Sequence, residues 1–305
     1  EFAPYRTHGK KPRNGGHLSF LGRENQYKCS LLVYHSKRST FMLELQNDDI
    51  YELVMDNSYF IFIGNDSFNE EIGYFRELSL QQPFSIITDS DNQYSKFGEV
   101  LLSADTKSNK DAFINDVIER ISKVDNIFIF SDMSTDEVAK ETVNICELSK
   151  DKQTILIIKP NAILDENIAT NISEHANITI LSQVRDKSFN IFKVTYLAIS
   201  HILNSLRDTE EEHIFGILSY GSANGDLSGI KSCVQAIERL ESSYREKIQE
   251  LSLMLSVGDD VSFTEVENAF KFPANMLECN GSIIIDAEKN PQSASLDVLA
   301  LAFVG

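Results

Sequence analysis

The chain has 305 residues, of which 24% are charged and 42% hydrophobic, and its formal net charge is -18 at pH 7. These fractions are those of an ordinary soluble globular protein, and the length exceeds what most single hydrophobic cores organise, so two packed domains are expected. The charge argues against a nucleic-acid-binding protein, because such proteins need a basic face to displace counterions. An acidic surface serves solubility or meets a basic partner.

Cysteine and histidine usage argues against a disulfide framework or a metal site. The cysteines are widely separated, show no CxxC spacing and lie in apolar strand or helix patterns: Cys29, Cys146, Cys233 and Cys279. We therefore expect buried free thiols, which suit a reducing cytoplasm. The histidines show neither an HExxH motif nor a paired ligand spacing. The sequence predicts a cytoplasmic protein without a bound metal.

Residues 1–26 differ in composition from the rest of the chain. Basic residues outnumber acidic ones, glycines interrupt the segment, and the apolar core of a secretion signal is absent from it. This composition predicts a disordered basic tail. The functional alternative is a docking arm for an acidic partner or a membrane surface.

Residues 27–187 alternate between strand and helix patterns. Short apolar runs such as YFIFI at 59–63 are typical of strands buried on both faces. The predicted strands are Tyr27–Tyr34, Tyr59–Ile63, Phe84–Thr88, Asn126–Phe130, Thr154–Ile158 and Asn177–Leu181, and the predicted helices include Phe41–Met55, Ala112–Val124, Thr135–Ser149 and Asp165–Ser173. Such alternation implies an α/β domain with right-handed crossovers and a mostly parallel, Rossmann-like sheet covered on both faces.

Residues 188–206 form a predicted long helix that is apolar nearly all round. At 1.5 Å per residue it would span roughly 28 Å, which is long enough for a membrane. Lys193 and His201 fall inside the span, and ionisable groups are costly there. A central helix buried between two domains of a soluble protein fits better than membrane insertion, and His201 is then a core histidine.

The pattern changes again over residues 207–305, which predict a smaller α+β domain. Its predicted strands are Glu212–Tyr220, Glu250–Val257, Ser282–Asp286 and Leu296–Val304, and its helices are Asp226–Glu241 and a second helix that Pro273 stops at Phe272. The sequence Ser262-Phe263-Thr264-Glu265 has the form of a capping box at the start of that second helix. The last two strands are expected to form an antiparallel pair.

The loop after the strand Asn126–Phe130 lies where nucleotide-binding α/β proteins place a glycine-rich phosphate cradle. Such a cradle uses glycine to bring backbone N–H groups onto an anion. This chain has no glycine between Gly98 and Gly216, and the loop carries Asp132 and Asp136, with Glu137 next. We expect these acids to repel phosphate.

The order of these parts, and several short motifs, resemble the FtsZ/tubulin family. Residues 221–226 (GSANGD) are similar to the family's G-x-x-x-G-[DE] turn. Residues 263–266 (FTEV) resemble its L-x-E-V helix start, and the apolar run at 296–305 resembles its closing strand, which ends in glycine. The resemblance implies a nucleotide-binding α/β domain, a long central helix and a smaller α+β domain.

The nucleotide loops of that family are not matched here. Its first loop is glycine-rich, whereas this chain has HSKRST at 35–40. Its GGGTGTG signature corresponds here to STDEVAK at 134–140. We treat Lys37, Arg38, Ser39, Thr40, Ser134 and Thr135 as vestigial nucleotide-loop residues that could still touch a phosphate. After the central helix the family has a catalytic Asn-x-Asp-x-x-Asp; here Asp208 and Glu211 are acidic but wrongly spaced for a general base.

The resemblance implies a degenerate FtsZ/tubulin-like protein of the cytoskeleton, a pseudo-GTPase that is structural or regulatory rather than catalytic. It would act by self-association or by contact with a true filament-forming relative, as in cell division, without nucleic acid, membrane insertion or a cofactor. The alternative is a divergent polymerising GTPase that binds GTP or GDP. A third interpretation is an unrelated two-domain α/β protein. A serine hydrolase is disfavoured, because Ser131 and Ser134 have no nearby histidine.

Overall fold

A computed structural model of the chain describes residues 32–34, 57–64, 84–87, 110–159, 172, 174–184, 193–195, 197–198, 213–240, 247–276, 282–290 and 293–304. The strands are β1 Leu32–Tyr34, β2 Ser58–Ile63, β3 Phe84–Ile87, β4 Asn126–Ser131, β5 Gln153–Ile158, β6 Ile178–Ser182, β7 Ile214–Ala223, β8 Ile248–Gly258, β9 Ser282–Asn290 and β10 Leu296–Val304. The helices with defined bounds are α1 Lys110–Ile121, α2 Asp136–Leu148, α3 Ser228–Glu238 and α4 Phe263–Met276.

All of these strands belong to one sheet, in the order β1-β9-β8-β10-β7-β6-β5-β4-β2-β3. The run from β3 to β7 is parallel throughout, as the alternating sequence pattern predicts. Beyond β7 the sheet becomes mixed, because β10 is antiparallel to both β7 and β8, whereas β8 and β9 are parallel. The short β1 pairs antiparallel with β9, at the opposite end of the sheet from β2 and β3.

One hydrophobic cluster runs along a single face of this sheet. It joins Phe62 and Phe130 of the parallel strands to Met254 and Phe303 of the C-terminal strands. The aromatic side chains of β2 and β4 stack across the strands, with ring centroids 5.1 Å apart for Phe60–Phe128 and 5.2 Å for Phe62–Phe130. Cross-strand aromatic pairs of this kind fix the register of neighbouring strands.

Two further clusters cover the other face. One lies under α1 and α2 and contains Ile129 and Ile145; the other lies under α3 and α4 and contains Ile217 and Val266. Leu181 packs against the cluster under α1 and α2, and it lies directly opposite Ile217 of the other cluster on the neighbouring strand. The two clusters therefore lie on the same side of the sheet. Helices α1 to α4 therefore lie on one face of the sheet, and the shared cluster lies on the other.

The described part of the predicted central helix is helical at residues 193–195 and 197–198, and it packs into the shared cluster through Val194 and Leu197. The Lys193 ammonium forms an ion pair with Glu288, with 2.5 Å between Nζ and Oε1, and donates to the Ser256 hydroxyl. Ser256 donates in turn to Glu288 at 2.8 Å. An ionisable residue is tolerated in this apolar segment because β8 and β9 supply its partners.

The predicted pairing of the last two strands is wrong. β10 lies between β7 and β8, whereas β9 pairs with β8 and with β1, so β8 separates the two strands expected to pair. Helix α4 connects β8 to β9, so β9 lies parallel to β8 on one edge, while β10 occupies the other edge of β8. A helical crossover returns the chain parallel to the strand it left, whereas a tight turn would have made an antiparallel hairpin.

Helix α4 does not stop before Pro273 as predicted; it continues to Met276. Proline lacks the N–H that would bond to the carbonyl four residues earlier, which is that of Ala269. The Cys233 thiol of α3 donates to that carbonyl instead, at 3.5 Å. A neighbouring helix thus supplies the missing donor, and the helix passes through the proline. Burial raises the pKa of the Cys233 thiol to about 12, so it keeps its proton at neutral pH.

The capping box at α4 is only half formed. The Glu265 backbone N–H donates to the Ser262 hydroxyl at 3.3 Å, as predicted. The Glu265 carboxylate, however, does not return to Ser262. It accepts from the backbone N–H groups of Leu227 and Gly229, at 3.1 and 3.0 Å, and so caps the start of α3. An acid in the first turn of one helix therefore satisfies the free donors of another.

We expect Leu197→Asp to destabilise the protein by about 4 kcal/mol or more, because Leu197 is only 1% exposed and the carboxylate would be buried in an apolar cluster. Chemical denaturation would measure the loss. Leu197→Met is the matched control and should cost less than about 1.5 kcal/mol, since it conserves volume. A well-folded Asp variant of near-normal stability would show that the central segment is peripheral.

We also expect Cys233→Ala to cost about 1 kcal/mol more than Cys146→Ala, because only the former leaves a buried carbonyl without its donor. Both thiols are free, fully buried and held protonated by desolvation, with pKa values raised to about 12. Urea unfolding of the two variants compares them directly. Equal losses would mean that the thiol does not support the proline-containing turn.

Candidate functional site

The candidate site lies at the carboxyl edge of the parallel strands, between β2 and β4. The sheet order is β5-β4-β2-β3, so the chain passes from β2 to β3 on one side and from β4 to β5 on the other, and the connections leave these two neighbours in opposite directions. Open α/β sheets bind ligands outside such a switch point. Here Gly64 follows β2, the turn 132–135 follows β4, and α2 begins at Asp136.

The turn after β4 is organised around the Asp132 side chain. Asp132 is only 6% exposed, and its Oδ1 accepts two hydrogen bonds from Ser134, from the backbone N–H at 3.0 Å and from the hydroxyl at 2.8 Å. Its own N–H donates to the Ile63 carbonyl of β2 at 3.2 Å. The side chain that the sequence suggested would face an incoming phosphate is therefore turned into the fold.

Gly64 is the residue that makes room for this carboxylate. A Cβ on Gly64 would lie 2.3 Å from Asp132 Oδ2, well inside van der Waals contact, and its φ of +153° is one that residues with side chains rarely adopt. The Gly64 N–H donates to the Ile87 carbonyl of β3 at 3.0 Å. The Asp132 carboxylate thus fills the space at the end of β2 that a glycine leaves open.

Two further backbone donors near this turn have partners within it. The Met133 N–H donates to the Ser131 hydroxyl at 3.3 Å, and the Val138 N–H donates to the Thr135 hydroxyl at 3.3 Å, which makes Thr135 the N-cap of α2. Ser131 is buried and shares a hydrogen bond with Thr142 at 2.7 Å. Helix N-termini are good anion sites because their N–H groups are free. Here the Val138 N–H of α2 has an internal partner, as do the Met133 and Ser134 N–H groups of the turn before it.

The surface around this turn is acidic. Asp136 and Glu137 lie exposed in the first turn of α2, where negative charge is favourable to the helix dipole. Lys159 follows β5 at the same edge, with its N–H bonded to the Ser131 carbonyl at 2.9 Å, and adds a positive charge. The acidic character predicted from the sequence therefore comes from Asp136 and Glu137 at the surface and from Asp132 beneath it.

The structure describes only two of the six residues predicted to be vestigial nucleotide-loop residues. Ser134 and Thr135 both lie in the turn, where Ser134 holds Asp132 and Thr135 caps α2. Lys37, Arg38, Ser39 and Thr40 lie outside the described residues, as do His201, Asp208 and Glu211, and their roles stay predictions. β1, the strand that precedes Lys37, pairs at the far end of the sheet from β4.

Sequence reasoning missed the inward position of Asp132 and its fit to Gly64. The signal for Gly64 was present, since it is a glycine directly after a fully buried strand. No signal marked Met133, a buried residue with φ +43°, because methionine rarely takes that backbone conformation.

Over the described ranges no group of three or more His, Cys, Asp or Glu side chains is arranged to hold a metal ion. Within the same ranges, none of the helices combines the length and apolar character that crossing a membrane requires.

The fold is that of the FtsZ/tubulin group. A point mutant of FtsZ from M. jannaschii superposes with a TM-score of 0.58 at 12% identity, covering 85% of this chain and 95% of that one. An empty FtsZ dimer from M. jannaschii gives 0.57 at 12% identity, covering 86% and 92%. GDP-bound monomeric CetZ1 from Haloferax volcanii gives 0.56 at 9% identity, covering 81% and 93%.

At these identities the likeness shows the fold, a mixed α/β sheet protein of the FtsZ/tubulin type, and not the activity. No family model matches the sequence, and no curated protein matches it. The division at residues 187 and 207 into two domains and a central helix stays a prediction.

We expect Gly64→Ala to destabilise the protein by about 3 kcal/mol or more, because the methyl group would overlap the Asp132 carboxylate and the backbone is strained. Gly225→Ala is the matched control: Gly225 also has a positive φ, +68°, but nothing lies within 4 Å of the place that its methyl group would occupy. It should cost about 1–2 kcal/mol, from backbone strain alone.

A double variant, Gly64→Ala with Asp132→Ala, separates overlap from strain. Removing the carboxylate should recover about 1 kcal/mol or more of the Gly64→Ala loss, measured as the coupling free energy of a thermodynamic cycle. Additive losses would mean that the two residues do not compete for the same space.

Proposed function

We propose that this FtsZ/tubulin-fold protein is structural or regulatory, acts through protein–protein contacts and does not hydrolyse GTP. The observation that carries the proposal is the buried Asp132 carboxylate, which lies against Gly64 and occupies the Ser134 donors at the switch point. The fold's ligand-binding edge holds a negative group of its own.

The energetics favour exclusion of a phosphate. A phosphate entering beside Gly64 would have to displace Asp132 from two hydrogen bonds, each worth about 1.5–3 kcal/mol when one partner is charged. It would also meet the negative charges of Asp136 and Glu137. A millimolar dissociation constant corresponds to only about -4 kcal/mol, so losses of this size are enough to abolish useful affinity.

The competing function is a divergent, GTP-binding polymerising GTPase. It gains support from the fold, since a CetZ1 of the same architecture is described as GDP-bound and an FtsZ as a dimer. The loop chemistry favours the first function, because hydrolysis requires a positioned base as well as bound nucleotide. Asp208 and Glu211, the acids nearest to such a role in sequence, have the wrong spacing.

The partner follows from charge. A chain with a net charge of -18 repels a second copy through any face on which acids meet acids, and the exposed Asp136 and Glu137 lie on the edge in question. A basic face on another protein, including a true FtsZ/tubulin-like filament former, would be attracted to this edge and could cap a polymer there. A cytoplasmic location is part of the proposal and rests on the cysteine usage.

We expect no GTP or GDP binding tighter than about 1 mM in calorimetric titrations of the protein. Asp132→Asn keeps the shape of the side chain but removes its charge, and it should bind nucleotide at least as well as the native chain. Asp136→Asn and Glu137→Gln, in the exposed first turn of α2, remove surface charge but leave the Asp132 hydrogen bonds in place, so they should raise nucleotide affinity less than Asp132→Asn does. Micromolar affinity of the native chain for GTP would overturn this prediction and favour the GTPase alternative.

Filament formation tests the same proposal independently of nucleotide binding. Light scattering and negative-stain microscopy should show no GTP-dependent filaments, and weak association, if present, should respond to salt because the Debye length falls to about 3 Å at 1 M. Long straight filaments that form only with GTP would contradict the proposal.

A further inference from the structure

A second surface, far along the sheet from β4, carries two exposed apolar side chains. Leu227 is the N-cap residue of α3 and is 52% exposed, and Phe263 is the first residue of α4 and is 57% exposed. Within the described part of the chain these are the most exposed of the large hydrophobic residues. We call the pair and the turns that carry it the Leu227–Phe263 surface.

Leu227 has an unfavourable backbone conformation as well as an exposed side chain. Its φ of 60° and ψ of 23° are left-handed, and leucine, unlike the Ser, Thr, Asp or Asn usual at an N-cap, has no side-chain atom that could accept a hydrogen bond from α3. Glycine or asparagine adopts this conformation more readily. Two residues earlier, Gly225 has a similar φ of +68°. The same turn therefore has a glycine at one left-handed position and a leucine at the other. Persistent strain at an exposed residue is a reason to suspect a function.

The two turns are held together as one unit. The Glu265 carboxylate accepts from the N–H groups of both Leu227 and Gly229. Gly229 lies so close to α4 that a Cβ there would be 1.9 Å from the Glu265 carbonyl oxygen. The two helix starts are therefore in backbone contact. Because these contacts hold Leu227 and Phe263 in place before a partner binds, the entropic cost of binding is lower.

The acidic residues around the Leu227–Phe263 surface favour a basic partner. Asp226, Asp259 and Asp260 are exposed beside the two apolar residues in sequence. Lys289 pairs with Asp259 at 2.9 Å, and Lys231 donates to the Asp226 carbonyl at 2.8 Å, so the acids are only partly neutralised. A second copy of this acidic chain is disfavoured there, whereas a basic segment is attracted.

We propose that the Leu227–Phe263 surface docks a segment of another protein in which an apolar or aromatic residue is flanked by Lys or Arg. The apolar residue covers Leu227 and Phe263, and the basic residues lie against the aspartates. Aromatic and large aliphatic anchors surrounded by a polar rim are the usual composition of small interfaces. The proposal is independent of whether the carboxyl edge of the parallel strands binds nucleotide.

The test uses a fluorescein-labelled peptide of about 12 residues with the repeat Arg-Leu-Arg-Phe, titrated with the full chain in fluorescence anisotropy. We expect a dissociation constant on the order of 10 μM at low salt. The double variant Leu227→Asn, Phe263→Ser should weaken peptide binding at least about tenfold. The Leu227→Asn change should not lower the melting temperature, because asparagine tolerates the left-handed backbone.

Ile118→Ser is the matched control, since Ile118 is also an exposed apolar residue, 42% exposed, but lies on α1. It should bind the peptide like the native chain, which separates docking from general attraction of a basic peptide to an acidic protein. Equal binding by all three proteins, or no binding below about 1 mM, would overturn the proposal. So would sedimentation showing that the native chain is a dimer and the double variant a monomer, because the surface would then join two copies.

Discussion

Strand β7 is the constraint on which the rest of the structure depends. It is parallel to β6 on one side and antiparallel to β10 on the other, so it joins the parallel strands to the mixed C-terminal strands in one sheet. Because the sheet is continuous, one cluster can extend from Phe62 to Phe303, with Leu197 of the central segment packed into it. Burial of that segment follows from the pairing of β7. Because Lys193 is part of the segment, its ammonium group requires a charged partner, which Glu288 of β9 provides.

The same sheet order creates the switch point between β2 and β4, and local chemistry decides what the switch point can do. Backbone position alone would offer an anion the start of α2. Asp132 changes this outcome, because its carboxylate takes the Ser134 donors and lies in the space that Gly64 leaves. A side chain of the loop itself therefore occupies part of the position outside which open α/β sheets bind ligands. The fold alone does not decide the chemistry of this edge, because different loop side chains can stand on the same architecture.

The sequence was sufficient where one signal dominated. β10 has the predicted bounds, and Thr135 and Ser149, the predicted ends of a helix, are the caps of α2. It was insufficient where a contact between distant residues decided the outcome. The Cys233 donor that lets α4 pass Pro273, and the Glu265 carboxylate that caps α3 rather than its own helix, depend on the packing of two helices. The inward turn of Asp132 likewise requires Gly64, which lies in another strand connection. Periodicity and propensity contain none of these contacts.

Two residues other than glycine have a positive φ in the described part of the chain, Met133 and Leu227, and they differ in what offsets the strain. Met133 is fully buried in the cluster under α1 and α2, so packing of its side chain compensates for the backbone. Leu227 is half exposed, and its side chain recovers little from the protein's own interior. A glycine there would keep the Glu265 cap, which uses only backbone N–H groups. The leucine side chain therefore adds nothing to this cap, and burial offsets less of the backbone strain at Leu227 than at Met133.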